Sequence, residues 1–168
     1  MSININNTND LNYRYKMNKL ITRQTGRGGN CHTILENLDT ICNQLNTMPE
    51  IILSYIGNVL GCQIVQSNNS LKGHYTTDKI QEIIFNFINF ATLCRKCSIP
   101  ELTPEVVKNN KDYKLHMMCS ACGYVYELIG NNKNNNKLVD TIIKYYSTNI
   151  FKPCKGNMVV NKMDFDPF

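Results

Sequence analysis

The sequence predicts an α+β chain: a flexible basic arm, a small α/β domain, a ribbon of short antiparallel strands bounded by cysteines, and a short C-terminal helix. Three observations carry this prediction. Apolar residues recur at helical spacing in three stretches between residues 38 and 88, with short strand-like runs between them. Two Cys-x-x-Cys pairs, Cys94 with Cys97 and Cys119 with Cys122, stand 21 residues apart. Arg14, Lys16, Lys19, Arg23 and Arg27 crowd the first 35 residues against Asp10 alone, in a chain whose net charge is +5.

The bulk properties limit the function classes. At 168 residues the chain can bury about two thirds of its unfolded surface in one compact body. Apolar residues at 42% and charged residues at 18% exclude wholesale disorder. No early window has the apolar run of a signal peptide, and the most apolar helical stretch, "IIFNFINFA", is interrupted by asparagines well short of spanning length. A soluble, intracellular protein with no membrane partner is expected. A basic arm is attracted to phosphate, on RNA or on a nucleotide, although a solvated tail has the same composition.

Residues 1–16 read as the arm, rich in asparagine and without periodicity. The α/β domain is expected over 17–91. It opens with two strand-like runs around a glycine loop, Gly26 to Asn30. Asn37 is a candidate cap for a helix carrying Leu38, Ile41, Cys42 and Leu45. Pro49 suits the first turn of a second helix, with Ile52, Tyr55, Ile56, Val59 and Leu60 inside and Gly61 as its stop. "CQIVQ" and "LKGHY" flank a Ser/Asn turn and predict a hairpin, after which Thr77 can cap a third helix whose face is Ile80, Ile83, Ile84, Phe87 and Ile88.

The ribbon is expected over 92–130, with Tyr113, Leu115, Met117, Tyr124 and Tyr126 as its core. "GNNKNNNK" reads as a linker, and Leu138, Val139, Ile142, Ile143 and Tyr146 mark the last helix. Residues 131–168 thus hold linker, helix and a loosely packed tail ending "DFDPF".

Two thiolates three positions apart can share one ion through a tight turn, and two such turns complete a tetrahedron. Cys94, Cys97, Cys119 and Cys122 are therefore candidate ligands for a structural zinc, with Gly123 supplying backbone freedom. Disulfides and an iron–sulfur cluster are the remaining readings of the spacing. Cys42 and Cys62 sit in apolar patterns and read as buried small hydrophobes. No nucleophile triad or paired-acid motif is evident.

Gly26, Gly28, Gly29 and Thr33, in "GRGGNCHT", echo a nucleotide loop weakly. His32 stands where such a loop has lysine before its Ser or Thr, so GTP binding by this chain itself is not expected. A flexible loop lying near a partner's nucleotide or near RNA, and a plain connecting turn, are the other readings.

The arm "LNYRYKM", the "GRGGNCHTILENL" stretch, "LVDTIIKYY" and the "CRKC" and "CSACGY" pairs together resemble the N-terminal domain of eukaryotic translation initiation factor 5. The resemblance spans about residues 1–147; the beta subunit of initiation factor 2 shares the α/β domain and ribbon. It implies a cytoplasmic, monomeric factor that stimulates GTP hydrolysis by initiation factor 2 at start-codon recognition, without being a GTPase itself. Its implied partners are initiation factor 2 with GTP and initiator tRNA, and the small ribosomal subunit with its RNA.

The resemblance further implies that Arg14 is an arginine finger. Tyr13, Tyr15, Lys16, Arg27 and His32 would support it. A planar cation brought to a transferring phosphoryl group stabilises the charge that spreads over its oxygens. Where the family carries basic residues that assist, this chain has His32 and Ser54. Family members also continue into a helical docking domain, whereas this sequence stops at Phe168. Recruitment is then expected to rest on the N-terminal domain, on the "DFDPF" end or on a different partner. Two other readings stand beside the first: a non-catalytic mimic that occupies the initiation complex, and a general RNA-binding ribbon protein.

Overall fold

The computed structural model describes residues 2–109 and 112–147. The expected tail from 148 onward, with Cys154 and the "DFDPF" ending, lies outside the described residues. Among them the architecture is α+β, as expected: four helices and three antiparallel sheets.

The first difference from expectation is the arm. Strand β1 (Ser2–Asn4) pairs with β2 (Lys16–Asn18), Ile3 opposite Met17. The cause is apolar anchoring, since Ile5 is 3% exposed and Met17 fully buried. The Asn4 amide then closes the intervening loop, Nδ2 donating to the carbonyls of Thr8 and Asp10, both at 2.7 Å. Asparagines that read as low complexity in sequence here supply a loop's hydrogen bonds. Residues 7–12 and Arg14 remain exposed.

A four-stranded sheet follows in the order β3 (Thr22–Thr25), β4 (His32–Leu35), β6 (Ser70–Lys72), β5 (Ile64–Val65). The glycine loop joins the first two strands, and the expected hairpin joins the last two, Ile64 opposite Leu71. Helices α1 (Leu38–Gln44), α2 (Pro49–Leu60) and α3 (Thr77–Phe87) match the three periodic stretches. Gly61 ends α2 at φ +64°, a conformation that costs other residues about 1–2 kcal/mol.

The two candidate caps differ in outcome. Asn37 does occupy the cap position of α1, its carbonyl accepting from the Ile41 N–H at 3.1 Å, but its side chain bonds elsewhere: its Oδ1 accepts from the Ile21 N–H and its Nδ2 donates to the Lys19 carbonyl, both at 2.8 Å, clamping the run between β2 and β3. Thr77 lies inside α3, and its hydroxyl pairs with that of Thr22 at 2.6 Å.

After α3 the backbone widens into one π-helical turn, Ile88–Thr92, where the Leu93 N–H reaches the Ile88 carbonyl at 2.9 Å. This turn delivers Cys94. The ribbon is a sheet of β7 (Leu102–Asn109), β8 (Asp112–Cys119) and β9 (Val125–Glu127) in that order. Period-two alternation buries Leu115 and Met117, whereas Tyr113 and Tyr124, expected in the core, are 48% and 40% exposed.

The "GNNKNNNK" stretch also differs from expectation. Helix α4 (Lys133–Ser147) begins inside it, the Asn132 Oδ1 accepting the Asn135 N–H at 2.9 Å as a cap does. Gly130 is needed just before, because a Cβ there would stand 2.5 Å from the backbone nitrogen of Asn136. Leu138 and Ile142 of α4, Leu115 and Met117 of the ribbon, and the inner faces of α2 and α3 belong to one apolar cluster. The Tyr55 hydroxyl adds a hydrogen bond from α2 to Asn135 of α4 at 3.4 Å.

Candidate functional site: an arm tied to a four-cysteine ribbon

The four cysteine sulfurs all lie within 4.8 Å of one another. Two close separations cross between the two turns: Cys94 Sγ to Cys122 Sγ at 3.7 Å and Cys97 Sγ to Cys119 Sγ at 3.6 Å. A tetrahedron with metal–sulfur bonds of about 2.3 Å has edges of roughly 3.8 Å, so the donor set fits a four-sulfur metal ion. The separations are far beyond a disulfide bond of about 2.0 Å.

The two turns are built alike. The Ser98 N–H donates to the Cys94 carbonyl at 2.8 Å, and the Gly123 N–H to the Cys119 carbonyl at 2.9 Å. Each donor residue is left-handed, Ser98 at φ +57° and Gly123 at φ +68°. The Ser120 N–H bonds the Glu101 carbonyl at 2.9 Å and pins the second turn to the entry of β7. Burial works against ionising Cys94, but the N–H groups of Cys97 and Lys96 and the neighbouring thiols outweigh it and hold that thiol down to about 7. Cys97 moves the opposite way: the Ile99 N–H lowers it, yet burial and the adjacent thiols push it up to about 12. Four sulfurs this close cannot all ionise without a cation among them, and a divalent ion removes that conflict. With four protein donors, an ion held there would have no open coordination position.

The arm reaches the ribbon through one side chain. The Tyr15 hydroxyl donates to Glu101 Oε1 at 2.5 Å, and this bond, ahead of burial, raises the phenol above its usual range. Tyr13 packs at 5.8 Å from the Tyr15 ring, its own phenol raised by burial. The backbone is fixed as well, since the Ile5 N–H donates to the Tyr15 carbonyl at 3.1 Å. Arg14 stands between these two anchored rings, exposed, its guanidinium carbon 5.9 Å from the Tyr15 ring centre. It has no carboxylate partner among the described residues. The pair of tyrosines thus immobilises the backbone and leaves one planar cation in solvent.

The other predicted residues fall in two groups. Lys16 lies on β2, exposed, with Nζ 3.4 Å from the Leu11 carbonyl. Arg27, Gly28 and Gly29 are exposed at the tip of the glycine loop, which closes so tightly that a Cβ on Gly26 would stand 2.0 Å from the Asn30 carbonyl oxygen. His32 is half-buried on β4, with Nδ1 enclosed and lacking a partner. Thr33 is fully buried; its hydroxyl donates to the Gly73 carbonyl at 2.8 Å and accepts from the Tyr75 N–H at 3.0 Å. The loop runs into a strand, so it lacks the helix N-terminus that phosphate loops use, and the Thr33 hydroxyl is already occupied. Ser54 is half-buried on α2.

Glu101 is the site residue that sequence reasoning missed. It stands 86 positions from Tyr15, and no local pattern marks the pair. Arg95 and Lys96 carry no signal in the sequence beyond filling the space between two ligands. In the fold their cations lie 4.9 Å from the Tyr126 ring and 5.8 Å from the Tyr124 ring.

No helix among the described residues is long and apolar enough to cross a membrane. A family model for the domain found in initiation factors 2B and 5 matches residues 5–125, which takes in the arm, the sheet, the helices α1 to α3 and all four cysteines. The chain is 33% identical over 129 residues to "Eukaryotic translation initiation factor 5" of Mus musculus, covering 74% of this chain and 30% of the mouse protein. With the protein of that name in Caenorhabditis elegans it shares 33% over 133 residues, 76% of this chain and 30% of the other. With that of Saccharomyces cerevisiae it shares 34% over 128 residues, 73% and 31%. The chain therefore spans about a third of the length of the curated relatives it matches. The stretch they share contains both the anchored arginine and the four-sulfur cluster, and on that match this chain belongs to the family of the domain found in initiation factors 2B and 5, with the N-terminal domain type of initiation factor 5.

Proposed function

We propose that this chain acts in translation initiation as a factor 5-type GTPase activator, with Arg14 as an arginine finger on GTP held by initiation factor 2 in the small-subunit complex. The observation that carries the reading is the exposure of an unpaired Arg14 between two anchored tyrosines. A finger must be free at its guanidinium and restrained at its backbone, because wandering adds to the entropy lost on reaching the transition state. Lysine at the same place would keep the charge and lose the planar fork. The four cysteines hold zinc, which the tetrahedral sulfur set favours. The zinc shapes the ribbon and takes no part in the hydrolysis.

A specific observation keeps the non-catalytic mimic as the second reading. His32 and Ser54, at positions where the family carries basic residues, are half-buried, so neither adds a permanent cation to the surface. The experiment is single-turnover GTP hydrolysis by a preassembled initiation complex with wild-type chain, Arg14→Ala, Arg14→Lys or no addition. The expected result is acceleration that falls by about 10³-fold in Arg14→Ala, with Arg14→Lys little better. Unaccelerated hydrolysis despite cosedimentation of the chain with the complex would leave the mimic.

A further inference from the structure

A groove of about 870 Å³ runs between the arm hairpin and α3, apart from the cysteine cluster. One wall is β1 and the loop after it; the other is the outer face of α3 from Asp78 to Asn86, continued by Asn89 of the π-helical turn. Gln81 lines it and is 6% exposed. Its Oε1 accepts from the Leu20 N–H at 2.8 Å, which fixes the amide, and its Nε2 is enclosed with no partner. A buried donor left unpaired costs roughly 1–3 kcal/mol, so an acceptor brought by a ligand would be well rewarded there.

The opposite wall offers a second, independent feature. The β1 strand has β2 on one side and no strand on the other among the described residues. The Ile5 N–H bonds the Tyr15 carbonyl, so by antiparallel alternation Ile3 and Ile5 face β2. The backbone groups of Ser2 and Asn4 therefore turn outward, and of these only the Asn4 carbonyl is taken among the described residues, by the Asn7 N–H at 3.0 Å. An open strand edge facing a helix is the arrangement in which an extended peptide adds as a further strand.

The lining selects the occupant. The carboxamides of Asn7, Asn9, Asn86 and Asn89 can both donate and accept, as a peptide backbone requires, and Phe85 adds an apolar floor. Asp10, Asp78 and Glu82 outnumber Lys16 and Lys19, and Lys19 is already 3.9 Å from Asp78. A phosphate chain would meet that excess of carboxylates; a basic peptide complements it.

We infer that this groove binds an extended basic segment of a partner protein, which pairs with the outer edge of β1, gives a backbone carbonyl to Gln81 Nε2 and packs an apolar side chain on Phe85. The test uses fluorescence anisotropy on the metal-loaded full chain with three probes: a nine-residue peptide of alternating lysine and valine, its glutamate counterpart, and a nine-nucleotide oligouridylate. The lysine peptide should bind about tenfold more tightly than either other probe. Gln81→Leu should weaken it by about tenfold, the scale of one hydrogen bond to a buried group. Glu82→Lys, an exposed change that leaves folding intact, should weaken it several-fold and improve the glutamate peptide. Lysine-peptide binding that is absent or indifferent to both substitutions overturns the inference, and so does tighter binding of the oligouridylate, which would make the groove an RNA site.

Discussion

Between residues 38 and 92, Ile41, Ile52, Ile56, Ile80, Ile84 and Ile88 are wholly removed from water. In the ribbon, cysteines aside, Leu115, Met117 and Leu128 alone among the described residues reach 2% exposure or below. The α/β part can reach order through burial, at about 1.5–3 kcal/mol for each large apolar side chain. A three-stranded sheet with so thin an interior needs a further source of free energy, and metal binding at the four sulfurs would provide it. The difference separates what heat and denaturant act on from what a chelator acts on.

The largest effect that could break this comparison is loss of the metal. Chelation, or Cys94→Ser, should remove amide-exchange protection from β7 to β9 while the helical circular dichroism of α1 to α3 persists; apparent zinc affinities in small ribbons reach about 10 kcal/mol or more. A ribbon that keeps its protection without metal would show that its apolar contacts suffice. Next in size is Ile84→Ala, which should destabilise the chain to denaturant by about 2–5 kcal/mol with metal stoichiometry unchanged. Metal loss in step with that unfolding would mean that the two regions form one cooperative unit through the cluster joining Met117, Leu138 and the helices. The smallest test sharpens the view of the ribbon alone. Ser98 and Gly123 occupy the same left-handed place in the two turns, so Ser98→Gly should raise the chelator concentration needed to open the site, a gain of about 1 kcal/mol at most.

Much of this was legible in the sequence because periodicity and spacing are local signals. The three apolar stretches located α1 to α3, Pro49 and Gly61 bracketed α2, and the cysteine spacing brought the four sulfurs together. What was not legible depends on partners far along the chain. Asn4, Asn37 and Asn132 look alike in an asparagine-rich sequence, yet one closes a loop, one clamps the run before β3 and one caps a helix. Residue type places Tyr113 and Tyr124 inside; Tyr113 does share the face of Leu115 and Met117, but it stands one pair from the end of the β7–β8 ladder, and Tyr124 lies just before β9 begins, so both stay exposed. For the site, Arg14 was visible through its setting, but Glu101 was not, because a tyrosine announces nothing about the carboxylate that holds it.

The Tyr15–Glu101 bond makes the arm a pinned crank instead of a rope. A rope with a free end explores a large volume and must forfeit most of it whenever its tip is captured. A segment held by β2 on one side and by the ribbon through Tyr15 sweeps a small arc, so its tip surrenders little freedom on meeting a target. Glu101 sits where the Ser120 N–H bonds its carbonyl, one residue from Cys119. The turn that brings Cys119 to the other three sulfurs is thereby coupled, through Glu101 and Tyr15, to how far the Arg14 guanidinium can stray.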